Sequence, residues 1–96
     1  MPIVENWSDV KGELVDAYPS QTAEGFVTLE LKVSDVEKVE GFKSFLEDKK
    51  GEVIHVNVKE PVVEDMDLKP GAKVSCRVRM AGPRKFFAHP ECVKVD

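Results

Sequence analysis

Hydrophobic and polar residues alternate along several short stretches, a pattern typical of strands with one buried face. The clearest stretch covers residues 26–33, where every second residue from Val27 to Val33 is aliphatic. The same alternation recurs at residues 9–18, 53–59 and 73–80. A Gly inside a strand is typical of a bulge or sharp bend, and Gly12 occupies such a position in the first stretch. These stretches predict four strands, the first of them bent.

Residues 73–95 predict a hairpin that turns at Ala81-Gly82-Pro83, because Gly-Pro strongly favours a break in the chain. The first arm places Val74, Cys76, Val78 and Met80 on one side. In the second arm, residues 85–95, Pro90 cannot donate a backbone hydrogen bond. We therefore expect the second arm to be an edge strand or two short strands.

A short helix is predicted between the second and third strands, within residues 34–50. Ser34 is followed three residues later by Glu37, which is the spacing of a capping box. Phe42, Phe45 and Leu46 then follow at helical spacing. Gly51 provides a typical C-terminal end for such a helix.

Five short strands, a Gly-bent first strand and a Leu-x-Pro-Gly turn at residues 68–71 resemble the OB-fold, the oligonucleotide/oligosaccharide-binding barrel. The expected fold class is therefore all-β, a small five-stranded OB-like antiparallel barrel with one short helix. The resemblance implies a helix between the third and fourth strands, whereas the helical pattern lies between the second and third. Either the loop after the second strand is elaborated or the fold is another small barrel.

The chain of 96 residues is the size of a single domain, with residues 1–8 as a lead-in segment. Trp7 in this segment is interpreted as a packing lid over one end of the core in preference to a stacking platform. It contains no apolar run of membrane-spanning length, and residues 1–5 lack the pattern of a signal peptide. A soluble cytoplasmic protein is the expectation.

Cys76 and Cys92 are too few for a disulfide scaffold, and two free thiols are the preferred interpretation, although a bridge across the hairpin is conceivable.

The net charge of −4 conceals an asymmetry along the chain. Residues 1–68 contain 7 Lys/Arg and 16 Asp/Glu, a net charge of −9, whereas residues 69–96 contain 7 Lys/Arg and 2 Asp/Glu, a net charge of +5. We therefore expect an acidic side and a basic side. A protein that contacts nucleic acid through one surface is compatible with this distribution.

The sequence favours neither catalysis nor a cofactor. A nucleophile needs a neighbouring base and a group that orients the base, and no local signature of this kind surrounds His55, His89 or the cysteines. His89, Cys92 and Cys76 supply three candidate metal ligands, whereas a structural zinc site normally takes four. We therefore expect no enzymatic activity, no metal and no cofactor.

Cations and aromatic residues are concentrated at the tip of the hairpin, a combination that single-strand nucleic-acid binders use to hold phosphates and stack bases. The resemblance to the OB-fold implies a binding surface on the second and third strands, beside which the hairpin lies. Alternation allows only one of Phe86 and Phe87 to face outward, and Glu30 on the same surface would repel phosphate. The predicted site for single-stranded DNA or RNA comprises Phe26, His55, Arg77, Arg79, Arg84, Lys85 and Phe87.

The alternative function is a protein-interaction or structural module. In that case the acidic half, including residues 60–67, would face a basic partner, or an edge strand would pair with a partner protein. The base preference and the oligomeric state stay open at this stage.

Overall fold

The computed structural model describes residues 5–64, 66, 68–82 and 85–95. It contains five strands: β1 (Ser8–Pro19), β2 (Phe26–Lys38), β3 (Val53–Lys59), β4 (Lys73–Gly82) and β5 (Lys85–Val95). A single turn of 3₁₀ helix covers Glu47–Lys49, and a short helix, α1, covers Glu60–Glu64. The all-β class with one short helix is confirmed.

The strands are hydrogen-bonded in a closed ring in the order β1-β2-β3-β5-β4. β1, β2 and β3 are consecutive antiparallel neighbours, and β4 returns to lie beside β1. This arrangement of β4-β1-β2-β3 is a Greek key. β5 then folds back along β4 and closes the ring on β3, to which it is parallel. The sheet is therefore mixed, whereas the sequence predicted an antiparallel one.

The inward faces follow the predicted alternation closely. β3 has the predicted bounds, and its residues Ile54, Val56 and Val58 are buried. On β5, Phe86 is buried and Phe87 is half-buried, which resolves the choice between these two neighbours. The core residues are Val10, Leu14, Leu29, Leu31, Val33, Leu46, Ile54, Val56, Val58, Val74, Cys76, Val78, Phe86, Ala88 and Val93.

β1 is bent where the sequence predicted a bulge. The pairing of β1 with β2 shifts in register between Lys11 and Gly12 and again between Leu14 and Asp16. A Cβ atom at Gly12 would lie 2.7 Å from the backbone oxygen of Lys32. Glycine therefore permits the close approach by which β1 pairs with both β2 and β4.

The predicted helix over residues 34–50 is wrong. β2 continues to Lys38, and Asp35 and Val36 pair with β1. The Ser34 hydroxyl donates to the Lys11 carbonyl oxygen at 3.0 Å, so it bonds across the sheet and caps no helix. The sheet overrides the local capping pattern because pairing with β1 satisfies the backbone of this segment. The α-helix lies between β3 and β4, in the segment predicted as an acidic connection.

β5 partly matches the prediction that residues 85–95 form an edge strand or two short strands. β5 is one strand, but Ala88 and Val93 pair with positions only two residues apart on β4, so the segment around Pro90 bulges outward. Among the described residues, β5 pairs with β3 only through Phe86 and Phe87. From Ala88 onward, β5 therefore has a strand neighbour on one side only within the described part of the chain.

Candidate functional site

A row of outward-facing side chains crosses four neighbouring strands. Thr28 pairs with Asn57, Asn57 with Phe87, and Phe87 with Arg79, which places the row on β2, β3, β5 and β4. The residues that alternate with them point into the core, so the row lies on the outer surface. We call the following residues the sheet face: Phe26, Thr28, Glu30, His55, Asn57, Lys59, Arg79 and Phe87.

The sheet face contains a cluster of two aromatic rings and one cation. Phe26 and Phe87 meet edge to face, with ring centroids 5.5 Å apart and an interplanar angle of 79°. The guanidinium carbon of Arg79 lies 5.9 Å from the Phe87 centroid, within the range of a cation–π interaction. Both rings are half-buried. The sheet face therefore presents aromatic surface beside a positive charge.

A polar cleft of about 370 Å³ lies beside this cluster, between the sheet and the β1–β2 connection. Its lining consists of Tyr18, Ser20, Gln21, Thr22, Thr28, His55 and Asn57. The Thr28 hydroxyl donates to Asn57 Oδ1 at 2.9 Å, which orients the amide. No described residue accepts a hydrogen bond from Asn57 Nδ2. The amide N–H groups of Asn57 are therefore available to a ligand in the cleft.

Glu30 is the acidic residue of the sheet face, and His55 and Tyr18 both contact its carboxylate. His55 Nε2 lies 3.3 Å from Glu30 Oε1. Partial desolvation, together with the charge of Glu30 and a hydrogen bond to it, raises the pKa of Tyr18 above its ordinary value. Tyr18 is thus a neutral donor to this carboxylate. Both contacts are made to the Glu30 carboxylate, which keeps its acceptor character and its negative charge.

Arg77 lies apart from the aromatic cluster. Its Nε donates to Asp9 Oδ1 at 2.9 Å and its second guanidinium nitrogen to Asp9 Oδ2 at 3.4 Å. These hydrogen bonds and the charge of Asp9 raise the pKa of Arg77. The pair lines a different cleft, together with Glu91 and Cys92. Arg77 is therefore engaged with a carboxylate, whereas no carboxylate partner is described for Arg79.

The remaining predicted residues belong to the hairpin tip. Lys85 is exposed and lies two residues before Phe87 on β5, on the same side of the strand. Arg84 lies outside the described residues. The structure thus brings Phe26, Phe87 and Arg79 into contact, places His55 in the adjoining cleft and positions Lys85 at one end.

The cleft residues contributed by β1 and the loop after it were not predicted from the sequence. Tyr18 faces the cleft because β1 extends to Pro19 and pairs Tyr18 with Thr28. Ser20 Oγ accepts hydrogen bonds from the backbone nitrogens of Thr22 and Ala23, which folds the loop beside Tyr18. Tyr18, at the end of the predicted first strand, was the one feature of the sequence that could have indicated the cleft. The conformation of the polar loop depends on contacts that alternation does not encode.

The two cysteines do not form a bond with each other. Cys76 is buried, and desolvation together with the nearby Asp9 carboxylate raises its pKa to about 12. Cys92 is half-buried on the outer side, next to Arg77. Within the described residues, no group of three or more His, Cys, Asp or Glu side chains is arranged to hold a metal ion. His89, Cys92 and Cys76 are thus not brought together as ligands.

Comparison with protein-family models, with curated proteins and with solved structures finds no match to this chain. No helix in the described part of the chain is long and apolar enough to cross a membrane. The geometry of the sheet face is therefore the basis for a functional proposal.

Proposed function

We propose that this chain is a non-enzymatic OB-like domain that binds single-stranded nucleic acid on its sheet face. The order of the strands around the closed sheet supports the proposal of an OB-like fold. An OB-fold is a five-stranded Greek-key barrel, and its ligands contact strands two and three and the flanking loops. Here the corresponding strands contribute Phe26, Thr28, His55 and Asn57, and the β1–β2 connection lines the adjoining cleft.

The contact of Phe26, Phe87 and Arg79 is the observation that carries the functional component. Bases stack on aromatic side chains irrespective of their identity, and neighbouring cations hold the phosphates. Arg79, Lys59 and Lys85 are exposed cations on or beside the sheet face. Asn57 adds hydrogen-bond donors that can meet an acceptor on a base or a sugar.

Catalysis is not part of the proposal, and neither Cys76 nor His55 has the surroundings of a catalytic residue. A reactive thiol needs a lowered pKa and access to solvent. Cys76 has neither property, since it is buried and its pKa is raised to about 12. His55 faces a carboxylate and lies near no described thiol that could serve as its nucleophile.

The direct test is a fluorescence anisotropy titration of labelled single-stranded DNA and RNA at low salt, with wild type and Phe87→Ala. Loss of one stacking platform should weaken binding by about 1–3 kcal/mol, or about 5- to 150-fold. Circular dichroism of the variant should remain that of the wild type, since Phe87 lies on the surface. Absence of binding by the wild-type protein at low salt would refute the proposal.

A protein-interaction module is the second candidate, and the open side of β3 favours it. Among the described residues, β3 pairs with β5 only at Val56 and Asn57, and Val53 is 47% exposed. An extended segment of a partner could pair with this part of β3. Such an interface would respond weakly to salt, whereas binding to phosphates weakens steeply as salt is added.

A further inference from the structure

We infer that Trp7 and His89 form a second stacking platform, which extends the nucleic-acid track across β4 to the segment before β1. This inference rests on the proposed function. The rings of Trp7 and His89 lie 5.5 Å apart at an angle of 58°. Both side chains are half-buried. We call this pair the indole platform, and the contact of Phe26 with Phe87 the phenyl platform.

Backbone register places the indole platform on the same surface as the sheet face. Ser8 pairs with Val78, and Asn6 contacts the backbone of Met80, so Trp7 lies opposite Arg79. Asn6 and Ser8 are buried, which leaves Trp7 on the outer side by alternation. His89 follows Phe87 by two residues on β5 and therefore shares its side, about 7 Å away. Arg79 lies between the two platforms.

The position of Trp7 is fixed from both sides. Asn6 donates from Nδ2 to the Met80 carbonyl oxygen at 2.9 Å and accepts from the Met80 N–H at 2.8 Å. The backbone N–H of Trp7 donates to the backbone carbonyl oxygen of Lys43 at 3.1 Å. The backbone that carries Trp7 is therefore held in place before any ligand binds, which lowers the ordering cost of binding.

The spacing of the platforms suits a single strand of several nucleotides. From Phe26 to Trp7 the track crosses β2, β3, β5, β4 and the segment before β1. At a separation of about 4.8 Å between neighbouring strands, the length of the track is about 19 Å. Stacked nucleotides rise by about 3.4 Å each, so the track accommodates about five of them. This length falls within the site sizes of single OB domains. The Glu5 carboxylate lies 3.5 Å from Trp7 Nε1.

The test compares a short and a long oligonucleotide, of about three and about eight nucleotides, which span one platform or both. Trp7 is the only tryptophan in the chain, so its emission reports directly on the indole platform. We expect the long oligomer to quench this emission at saturation. Trp7→Ala and His89→Ala should weaken binding of the long oligomer about 5- to 150-fold and change binding of the short one much less. Trp7→Phe should restore most of the affinity.

Phe87→Ala is the matched control, since it removes the phenyl platform and should weaken both oligomers. If the wild-type protein binds the long oligomer without a change in Trp7 emission, or if Trp7→Ala binds it like wild type, the inference is wrong while the proposed function stands. Equal weakening of both oligomers by Trp7→Ala would assign Trp7 a purely structural role and also overturn the inference. If wild type binds neither oligomer at low salt, the proposed function itself fails.

Discussion

Cys76 and Cys92 lie on neighbouring strands but in opposite environments. Cys76 pairs with Val93 and points into the core, so Cys92, the residue before Val93, points outward. Burial keeps the Cys76 thiol neutral and raises its pKa to about 12. The thiolate is the form that reacts with alkylating reagents. Accessibility and charge therefore both disfavour reaction at Cys76 in the folded protein.

We expect iodoacetamide at about pH 8 to label Cys92 in the native protein, and Cys76 only after unfolding. Peptide mass spectrometry of native and denatured samples measures the labelling. Rapid labelling of native Cys76 would contradict this account.

The same burial makes stability depend on pH. Because the folded-state pKa of Cys76 is raised, its neutral form contributes stability below the ordinary thiol pKa. That contribution is lost as the pH rises toward about 12. Cys76→Ala should therefore show a smaller loss of stability at alkaline pH than the wild-type protein.

At the scale of the element, the bend at Gly12 allows β1 to pair with both β2 and β4. The close approach of Gly12 to Lys32 leaves no room for a side chain, because a Cβ atom would lie 2.7 Å from a backbone oxygen. Gly12→Ala should therefore destabilise the fold by about 1–3 kcal/mol. Val15→Ala is a control on the same strand, since Val15 is 47% exposed, and it should change stability by about 0.5 kcal/mol or less. Urea unfolding measures both, and wild-type stability of Gly12→Ala would contradict the proposed role of the bend.

The strands could be predicted wherever alternation alone decides the structure. β3 has the predicted bounds, and the inward residues of β4 are buried from Val74 to Val78. The segment at residues 34–38 was mispredicted because its capping pattern is local, whereas its pairing with β1 is long-range. The parallel contact of β3 with β5 was likewise unpredictable from alternation, since it depends on how β4 returns to β1.

The candidate site was predictable to the extent that its residues alternate on strands. Phe26, His55, Arg79 and Phe87 all have the predicted outward orientation. Arg77 also points outward, but its hydrogen bonds to Asp9 depend on a strand that lies 68 residues away in sequence. Trp7 was assigned to a lead-in without periodicity, and its orientation follows from the contacts of Asn6 with Met80.

At the scale of the whole molecule, the charge asymmetry of the sequence is only partly a surface asymmetry. The chain has a net charge of −4, and the segment from residue 69 onward carries the positive excess. Within that segment, Arg77 is paired with Asp9. Lys59 and Arg79 are the cations of the sheet face, with Lys85 beside it. Favourable interaction with a polyanion therefore depends on a few local charges and should be sensitive to salt.

The central claim is tested most directly by the salt dependence of single-strand binding for wild type, Arg79→Ala and Arg77→Ala. If Lys59, Arg79 and Lys85 each contact a phosphate, the slope of log K against log salt concentration is about −2 for wild type. Arg79→Ala should reduce its magnitude by about 0.7, whereas Arg77→Ala, the matched control on the same strand, should leave the slope unchanged. A salt-independent affinity, or equal effects of the two substitutions, would contradict a nucleic-acid site centred on Phe87 and Arg79.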